Sequence, residues 1–486
     1  MLLSQLLADI EYKTVKGQDV EIASLIYDSR KVEKGSVFVC LKGSSFDSHT
    51  KALEASKAGA AAIIAEHEVE CGDNCTLIIV DDTRKALAYM SCAYFDYPAK
   101  SLKTVAITGT KGKTTTAAMI RYILEEGGIK TATIGTLGIV LDDRIISTNN
   151  TTPESYEIQE AMRLMVNSGY KAVVIEASSL GFKWHRTDGV VFDFGVFTNF
   201  SHDHIGGVEH ESLEEYFDCK AMLFSQCKIG CANADDEKFE QIKSLAKCPV
   251  ESFGFSEKAD LRCVNSELIN DAGFIGIHID TQGSLHLSAD VAVPGKFNAY
   301  NALAAISVCR HFDITNENII NGLRKFKVKG RVEPVKVSDK FSVLIDYAHN
   351  AISMENVLTT LRQYNPHRII TMFGAGGNRP KVRRYEMGET SGRLSDLSVI
   401  TEDNSRYEDV NDIINDILVG MKKTDGEYVV VPNRREAIKY CLDTAQKGDI
   451  IVLAGKGHED YQEIKGVKYH LDEREVIDDI LKTNKY

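Results

Sequence analysis

Short apolar runs alternate along this chain with longer segments in which apolar residues recur every three or four positions. The runs have the length of buried β-strands, and the segments between them have the period of helices with one apolar face. Strands that alternate with helices usually pair in parallel, and helices then cover both faces of the sheet. The pattern therefore predicts an α/β fold with mostly parallel sheets.

The apolar runs fall into three groups, separated by breaks near residues 97–100 and 329–331. The predicted strands are 36–41, 61–65 and 76–80 in the first group, 103–108, 172–176 and 192–198 in the second, and 343–347, 369–373, 397–401 and 450–454 in the third. Residues 261–293 alternate apolar and polar positions, which predicts a β-rich extension of the second group. We therefore expect three α/β domains, with bounds 1–99, 100–329 and 330–486.

Length, charge and cysteine content narrow the class of protein. A chain of 486 residues is too long for one hydrophobic core, and its net charge of −13 argues against a broad nucleic-acid surface. No apolar run reaches membrane-spanning length, and the N-terminus lacks the basic start of a signal peptide. Eleven scattered cysteines fit a reducing compartment. We therefore expect a cytoplasmic protein that neither binds nucleic acid nor inserts into a membrane.

One glycine-rich segment carries the clearest chemistry. The run Gly109-Thr110-Lys111-Gly112-Lys113-Thr114-Thr115 follows a predicted strand and precedes a helical pattern that starts near Ala117. Backbone N–H groups of such a loop bind phosphate oxygens together with the helix N-terminus, while the lysine reaches the terminal phosphates and the threonine hydroxyl binds Mg²⁺. The flanking strand and helix patterns favour this interpretation over a chance turn. The spacing between the glycines is shorter than in the Walker motif.

Three further polar features follow predicted elements of the central group. Glu176 ends a strand, Asp203-His204 follows the next strand, and Lys220 lies among apolar residues of an amphipathic helix. Ligands of open α/β sheets bind beyond the carboxyl ends of the strands, which favours a Mg²⁺-linked role for Glu176. Taken singly, the glutamate could be a solvated strand end, the Asp-His pair a surface loop, and the lysine a residue that reaches solvent along its aliphatic stem.

Taken together, these motifs resemble the Mur ligase family, the ATP-dependent amino-acid-adding enzymes of peptidoglycan synthesis. The motifs that carry the resemblance are the phosphate loop, 176–179, 203–204, the Lys220 helix, 295–301, 330–333 and 346–349. Within the family the chain looks most like the UDP-N-acetylmuramoyl-tripeptide synthetases, the MurE branch, on the evidence of residues 28–30, 35–43, 150–153, 376–379, 403–406 and 454–462. The resemblance spans all three expected domains.

The resemblance implies a reaction, its cofactors and a role for each domain. ATP would phosphorylate a substrate carboxylate to an acyl phosphate, and an amine would then displace the phosphate through a tetrahedral intermediate. The N-terminal domain would bind the UDP-N-acetylmuramoyl (UDP-MurNAc) group, the central domain ATP and Mg²⁺, and a Rossmann-like C-terminal domain the incoming amino acid. The expected substrates are UDP-N-acetylmuramoyl-L-alanyl-D-glutamate and meso-diaminopimelate, and we expect a monomer.

The resemblance also implies a role for particular residues. Catalytic roles fall on Lys113, Glu176, His204 and Lys220. Contacts with ATP fall on Gly109, Thr110, Lys111, Gly112, Lys113, Thr114, Thr115, Asn298, Arg331 and Asp346. The metal ligands would be Thr114, Glu176, His204 and Lys220 as a carbamate. Contacts with the UDP substrate fall on Ser29, Asn150, Thr151, Thr152, Ser178 and Arg186. Contacts with the amino acid fall on Arg379, Asp403, Asn404, Arg406, Gly455 and Glu459.

Arg406 decides which amino acid is expected. In this family an Asp-Asn-Pro-Arg motif recognises meso-diaminopimelate, and lysine-adding relatives lack the arginine; here residues 403–406 read Asp-Asn-Ser-Arg. Diaminopimelate differs from lysine by a far carboxylate, which a guanidinium grips through two hydrogen bonds. The structural alternative for Arg406 is a surface ion pair with Glu402 or Glu408.

Other functions stay open at this point. The same ligase chemistry could add L-lysine, and residues 203–210 resemble the lysine-adding enzymes of some Gram-positive bacteria. A ligase of the folylpolyglutamate type would act on another acidic acceptor, although it would not need the nucleotide-like motif at 28–30. A scaffold that binds the precursor without catalysis is a further alternative, which the intact Lys113, Glu176 and Lys220 disfavour.

Overall fold

The chain is described here from a computed structural model, which covers residues 1–43, 46–201, 209–271, 274–484 and 486. In chain order the strands are β1 (Lys13–Lys16), β2 (Ser24–Ile26), β3 (Ser36–Val39), β4 (Ala62–Ala65), β5 (Thr76–Ile79), β6 (Lys103–Thr108), β7 (Thr131–Gly135), β8 (Gly138–Leu141), β9 (Arg144–Ile146), β10 (Ala172–Glu176), β11 (Phe192–Phe197), β12 (Cys227–Asn233), β13 (Val250–Gly254), β14 (Leu261–Asp271), β15 (Phe274–Gly283), β16 (Leu287–Val291), β17 (Glu333–Val335), β18 (Ser342–Asp346), β19 (Ile369–Phe373), β20 (Leu397–Ile400), β21 (Tyr428–Val430), β22 (Ile450–Ala454), β23 (Tyr461–Ile464) and β24 (Val467–His470).

The helices lie between these strands, as the alternating pattern predicts. They are α1 (Leu3–Leu6), α2 (Ala52–Lys57), α3 (Thr83–Tyr94), α4 (Lys113–Glu126), α5 (Ser155–Asn167), α6 (Ser179–Lys183), α7 (Leu213–Ala221), α8 (Phe239–Leu245), α9 (Asn298–Cys309), α10 (Asn316–Lys325), α11 (Ala351–Arg362), α12 (Lys381–Leu394), α13 (Val410–Met421), α14 (Arg434–Thr444) and α15 (Glu473–Thr483). Among the described helices, none is both long enough and apolar enough to cross a bilayer.

The chain divides into two compact units, one of residues 1–262 and 303–319 and one of residues 263–302 and 320–486. The first unit holds the N-terminal sheet, in which the order is β1-β5-β4-β3-β2 and only β1 is antiparallel to its neighbour. Two apolar clusters cover the two faces of this sheet. All three strands predicted in this part of the chain are present.

The first unit also holds the sheet that carries the phosphate loop. Its strands run in the order β13-β12-β11-β6-β10-β7-β8-β9, and the central ones are parallel. All five residues of β10 are buried, because helices cover both faces of a parallel sheet. The next strand, β14, continues along the chain into the second unit, where β15 and β16 pair antiparallel. The predicted β-rich extension is therefore present.

The second unit holds a six-stranded sheet in the order β17-β18-β22-β19-β20-β21, parallel except for β17. Apolar residues of α11, α12 and α13 cover one face, and those of α14 and α15 cover the other. All four predicted strands are present in this sheet, which has the doubly wound, Rossmann-like architecture. The α/β prediction is confirmed, while the exact domain bounds stay a prediction.

Candidate active site

The phosphate loop joins the end of β6 to the start of α4, as the motif requires. Gly112 stands before the first residue of α4 in the left-handed region, at φ 87°. Gly109 has a φ of 142°, and a Cβ at this position would lie 2.0 Å from Thr198 Oγ1. Residue 109 must therefore be glycine on both backbone and packing grounds.

Two residues at the end of the neighbouring strand hold the loop in place. Thr198 Oγ1 and Asn199 Nδ2 donate to the carbonyl of Lys111 at 2.7 and 3.0 Å, and the Lys111 amide donates to Asn199 Oδ1 at 3.0 Å. Sequence reasoning did not assign these residues a role. In the sequence they are marked only by their position at the end of a predicted strand, β11, which pairs with β6 in the structure.

The cationic groups of the loop lie around its mouth. Lys113 Nζ donates to the carbonyls of Gly109 and Thr110 at 2.8 and 3.1 Å. The first N–H groups of an α-helix point out of its N-terminus, and α4 begins at Lys113 directly after the loop. Such a helix start carries partial positive charge, so the geometry of the loop suits an anion.

Glu176 lies beside this loop and is almost fully buried. Its carboxylate accepts from Thr114 Oγ1 at 2.8 Å, and from the amide and hydroxyl of Thr136 at 3.1 and 3.0 Å. The approach is so close that a Cβ on Gly135 would lie 2.1 Å from Glu176 Oε1. Burial raises the pKa of Glu176, although these hydrogen bonds and the charge of Lys113 work in the opposite direction.

The pair of Thr114 and Glu176 fits a magnesium ion. Both offer oxygen ligands, the type that Mg²⁺ prefers, and they lie at the start of a helix that binds phosphate. A buried carboxylate with a raised pKa also gains from a cation beside it. Asp203 and the predicted ligand His204 lie outside the described residues.

Lys220 is buried in the first unit, close to the same loop. It lies on α7, and its side-chain nitrogen donates to the carbonyl of Gly109 at 3.0 Å. The nitrogen also lies 4.4 Å from the centre of the Tyr216 ring, and the Tyr216 hydroxyl donates to Thr110 Oγ1 at 3.3 Å. The helix therefore aims a lysine at the phosphate loop, and the solvated alternative is wrong.

The predicted acceptor-substrate residues lie next to Glu176. Thr152 Oγ1 donates to the backbone carbonyl of Glu176 at 2.8 Å and accepts from the Ser178 amide at 2.9 Å. Arg186 donates to the Thr152 carbonyl at 3.0 Å and to Glu154 at 2.9 Å. These contacts bring Thr152, Ser178 and Arg186 together.

The two residues before Thr152 belong to the same loop. Thr151 Oγ1 lies 3.2 Å from Thr136 Oγ1, which itself contacts Glu176. Thr148 Oγ1 donates to the backbone carbonyl of Asn150 at 3.1 Å. The loop of 148–152 therefore lies within two hydrogen bonds of Glu176.

Ser29 lines a separate surface cleft of about 620 Å³ in the first unit. Asp28 caps the short helical turn that presents Ser29, by accepting from the amide of Arg30 at 3.1 Å. Arg84, which sequence reasoning missed, also lines this cleft and donates to Glu154 at 3.2 Å. Through Glu154 it is linked to Arg186, so one ion-pair chain joins the cleft to the residue that contacts the loop of 148–152.

The remaining predicted nucleotide residues lie in the second unit. Asp346 ends β18, and its carboxylate accepts from the amides of Val332 and Ala348, each at 2.7 Å. Burial raises its pKa against the effect of these two bonds. The Arg331 guanidinium lies 5.5 Å from the centre of the Tyr347 ring.

Asn298 has a structural use for its amide. The side chain is buried, donates to the Pro294 carbonyl at 2.7 Å and accepts from Asn301 at 2.7 Å. These bonds hold the turn that enters α9. The predicted contact of Asn298 with a nucleotide stays a prediction.

All six residues predicted to bind the amino acid line one cavity of about 120 Å³ in the second unit. The residues are Arg379, Asp403, Asn404, Arg406, Gly455 and Glu459. They come from the ends of β19, β20 and β22 or the loops beyond, which is where an open α/β sheet binds its ligands. The geometry therefore brings together every member of this predicted group.

Arg406 is held at the wall of the cavity by its backbone and side chain. Its φ is 52°, its Nη1 donates to the Gly377 carbonyl at 2.8 Å, and its Nε donates to Glu463 at 3.2 Å. Glu408, one partner considered from the sequence, is bound to Arg384 instead. The guanidinium therefore lies between one carboxylate and the cavity.

A buried charge network supports the floor of the cavity. Lys456 Nζ and Arg434 Nη1 each lie 3.8 Å from Asp403, and Arg434 pairs with Glu473 at 2.8 Å. Burial alone would raise the pKa of Asp403, but the charges of Lys456 and Arg434 hold it below its usual value. Asp403 is therefore kept as a carboxylate.

Glu459 and two arginines complete the wall. The amide of Asn404 donates to Glu459 at 2.9 Å and its oxygen accepts from Lys456 at 3.0 Å. Arg383 and Arg384 also line the cavity, and sequence reasoning assigned neither of them. Arg384 is neutralised by Glu408 and Asp416, so the cavity has both cationic and anionic sides.

Known proteins resemble this chain along nearly its whole length. Residues 107–309 match the model of the Mur ligase middle domain, and residues 330–457 match that of the Mur ligase glutamate ligase domain. The chain is 38% identical to UDP-N-acetylmuramoyl-L-alanyl-D-glutamate–2,6-diaminopimelate ligase of Clostridium perfringens, over 99% of each chain. It is 39% identical to ligase 1 of that name in Clostridium acetobutylicum, again over 99% of each.

A solved structure shows the same architecture. A UDP-N-acetylmuramoyl-L-alanyl-D-glutamate–2,6-diaminopimelate ligase matches with a TM-score of 0.75 and 27% identity, over 95% of each chain. The fold class and the three-domain arrangement expected from the sequence are therefore confirmed. With relatives above 30% identity along nearly its whole length, the chain belongs to the Mur ligase family.

Proposed function

We propose that the chain is an ATP-dependent ligase that joins meso-diaminopimelate to UDP-N-acetylmuramoyl-L-alanyl-D-glutamate, with release of ADP and phosphate. The observation that supports meso-diaminopimelate as the amino acid is the position of Arg406. Its guanidinium lines one cavity together with every other residue predicted to bind the amino acid. The curated relatives named above support the same reaction. The domain roles that we propose are UDP-MurNAc binding for 1–99, ATP binding and catalysis for 100–329, and amino-acid binding for 330–486.

In the first step a carboxylate oxygen of the acceptor attacks the γ-phosphorus of ATP, and the bond to the ADP oxygen breaks. Two anions must approach each other, so the site has to offset their repulsion. Lys113 and the N-terminus of α4 supply positive charge at the phosphate loop. Thr114 and Glu176 would hold Mg²⁺, which would neutralise part of the phosphate charge.

In the second step the amine of the amino acid attacks the acyl carbon and loses a proton. The tetrahedral intermediate then expels inorganic phosphate, and the amide bond remains. The loop of 148–152 and Arg186 support this step by holding the acceptor near Glu176. The anionic dipeptide would pair with Arg186, whose partner Glu154 keeps the guanidinium in position.

Charge complementarity supports the choice of amino acid. The far end of diaminopimelate carries a carboxylate and an ammonium group, whereas lysine carries only an ammonium group there. Arg406 and Arg379 match the carboxylate, and Asp403 and Glu459 match the ammonium. If L-lysine were the substrate, the two arginines would face no carboxylate at the far end of the ligand.

The test measures ATP-dependent phosphate release with UDP-N-acetylmuramoyl-L-alanyl-D-glutamate, and compares meso-diaminopimelate with L-lysine. We expect strong preference for diaminopimelate, and a rise in its KM of about a hundredfold to ten-thousandfold in Arg406→Ala, because two charge-assisted bonds are lost. Arg393→Ala is the matched control, since Arg393 is an exposed arginine of α12 that does not line the cavity. A preference for lysine would overturn the assigned amino acid, and release with neither would overturn the acceptor.

We also propose that Lys220 carries a carbamate, which turns a buried cation into an anion able to bind a second Mg²⁺. The support is its burial beside the phosphate loop. Intact mass in bicarbonate should exceed the sequence mass by one carbon dioxide, and acid should remove the addition. Lys220→Arg keeps the positive charge, and should lose both the addition and ligase activity. Full activity of that variant would contradict the proposal.

For the whole protein we propose a monomer in the cytoplasm. The eleven cysteines are all free thiols in the structure, which fits a reducing compartment. Because we propose a monomer, sedimentation at micromolar concentration should give one species near the chain mass of 53.8 kDa.

A further inference from the structure

A second cavity, of about 520 Å³, opens in the first unit at the edge of the central sheet opposite to the phosphate loop. Its lining includes Lys103 at the start of β6, Lys171 immediately before β10, and Lys228 near the start of β12. These positions are the amino ends of parallel strands, whereas the phosphate loop follows the carboxyl end of β6. The cavity is therefore separate from the proposed active site.

The lining is strongly cationic in a chain whose net charge is −13. Lys100, Lys103, Lys171 and Lys228 all line the cavity, and Asp193 is the one acidic residue among its described lining residues. Asp193 accepts from Lys228 at 2.9 Å and lies 3.8 Å from Lys103. Three positive charges therefore remain uncompensated within the lining, which suits an anion of two charges or more.

A buried amide lies in the same lining. Gln159 on α5 is 1% exposed, and its Oε1 atom has no hydrogen-bond partner among the described residues. A buried acceptor without a donor is costly, because it has lost its bonds to water. A ligand with a hydroxyl or amino donor would supply the missing bond. A ligand that uses both the lysine ammonium groups and the amide oxygen must carry an anionic group and a hydrogen-bond donor.

The size and apolar part of the lining narrow the ligand further. The volume is several times that of a phosphate ion and within the range of small-molecule sites. Leu102, Ala99 and Val191 supply apolar surface on which the C–H groups of a small ring can pack. We propose that this cavity binds a sugar phosphate, with the phosphate on the lysines and a hydroxyl donating to Gln159.

The test measures binding of glucose 6-phosphate and of inorganic phosphate by calorimetry, on the full chain with saturating ADP and Mg²⁺. We expect glucose 6-phosphate to bind more tightly than inorganic phosphate. The double variant Lys103→Ala/Lys171→Ala should weaken glucose 6-phosphate binding at least tenfold. Gln159→Leu should weaken it about fivefold to tenfold while leaving inorganic phosphate binding unchanged, since that substitution removes only the amide.

Two controls locate the binding. Lys130→Ala is matched to Lys171→Ala, because Lys130 stands immediately before β7 at the same edge of the sheet but does not line the cavity. Lys113→Ala should keep glucose 6-phosphate binding, because it alters only the phosphate loop. The proposal fails if Lys113→Ala abolishes binding, if the double lysine variant binds normally, or if Gln159→Leu weakens both ligands equally. None of these readouts requires ligase activity, so the proposal stands or falls apart from the proposed function.

Discussion

Glu176 is the residue on which most of the proposed chemistry converges. Its side chain contacts Thr114 of the phosphate loop, and its backbone carbonyl accepts from Thr152 of the loop of 148–152. Burial raises the pKa of its carboxyl group, so this group takes up a proton at a higher pH than an exposed glutamate would. The charged form that a cation needs is therefore lost earlier as the pH falls.

We expect Glu176→Gln to weaken the apparent affinity for Mg²⁺ at least tenfold, because an amide carries no charge. We also expect the acid limb of the pH–activity profile to change in the residual activity, since the titrating group is gone. Activity measured against Mg²⁺ concentration and pH gives both results. Glu257→Gln is the control, at an exposed glutamate. An unchanged acid limb in Glu176→Gln would show that another group sets it.

Among the elements, the one most important for the proposed nucleotide binding is the segment made of β6, the phosphate loop and α4. Its shape depends on a close approach at Gly109, where a Cβ would lie 2.0 Å from Thr198 Oγ1. Gly128 offers a comparison, because it too has a positive φ, 76°, yet a Cβ there would have no neighbour within 4 Å. Comparing substitutions at the two glycines therefore separates the cost of backbone strain from the cost of steric overlap.

We expect Gly109→Ala to lose ADP binding and to reduce the free energy of unfolding by more than Gly128→Ala. The Gly128 substitution should cost about 1–2 kcal/mol through left-handed strain alone. At Gly109 overpacking should add about 1–3 kcal/mol. Urea titration and ADP calorimetry on both variants measure the difference. Normal ADP affinity in Gly109→Ala would mean that the loop can rearrange without losing nucleotide binding.

At the scale of elements the sequence predicts much of the fold. Strands such as β10 and β19 are continuous apolar runs between polar turns, and they appear within a residue of the expected bounds. The residues of the amino-acid cavity were predicted from the resemblance to the Mur ligase family, through the motifs at 376–379, 403–406 and 454–462. Thr198, Arg84 and Arg384 were missed, because each acts through a contact with a distant segment that spacing along the chain does not reveal.

The second unit depends on charges that are buried within it. Arg434 is fully buried beneath the amino-acid cavity, and its guanidinium donates to the Glu473 carboxylate and to the backbone carbonyls of Glu402 and Ala454. Removing one partner of a buried pair leaves the other charge without compensation. Its neighbour Arg435 is half exposed, and its charged group lies 3.8 Å from Asp479.

We expect Arg434→Ala to reduce the free energy of unfolding by about 3–5 kcal/mol. Arg435→Ala, the control, should change it by less than about 1 kcal/mol, because exposed ion pairs contribute little. Urea unfolding monitored by circular dichroism measures both. Equal losses in the two variants would contradict the importance of the buried network.

For the whole molecule, the two units should respond to different extents to the nucleotide and to the amino acid. The phosphate loop lies wholly in the first unit and the amino-acid cavity wholly in the second. A ligand stabilises what it binds, by about 2.7 kcal/mol at a hundred times its dissociation constant. In calorimetry we therefore expect meso-diaminopimelate to shift only the unfolding transition of the second unit. ADP with Mg²⁺ should shift the transition of the first unit more than that of the second, which holds the predicted nucleotide residues Arg331 and Asp346. Arg434→Ala should lower only the second transition, and equal shifts of both by either ligand would contradict this.

The confinement of the amino-acid cavity to one stretch of chain has a consequence for inheritance. Residues 374–459 supply nearly every group that lines it, with Tyr347 and His349 just before them. A single recombination event upstream of this stretch could therefore exchange the diamino acid that a ligase uses while its nucleotide chemistry passed on unaltered. A chimera whose chain from residue 374 onward comes from a lysine-adding relative should adopt lysine, and the cell wall cross-link would change with that one crossover.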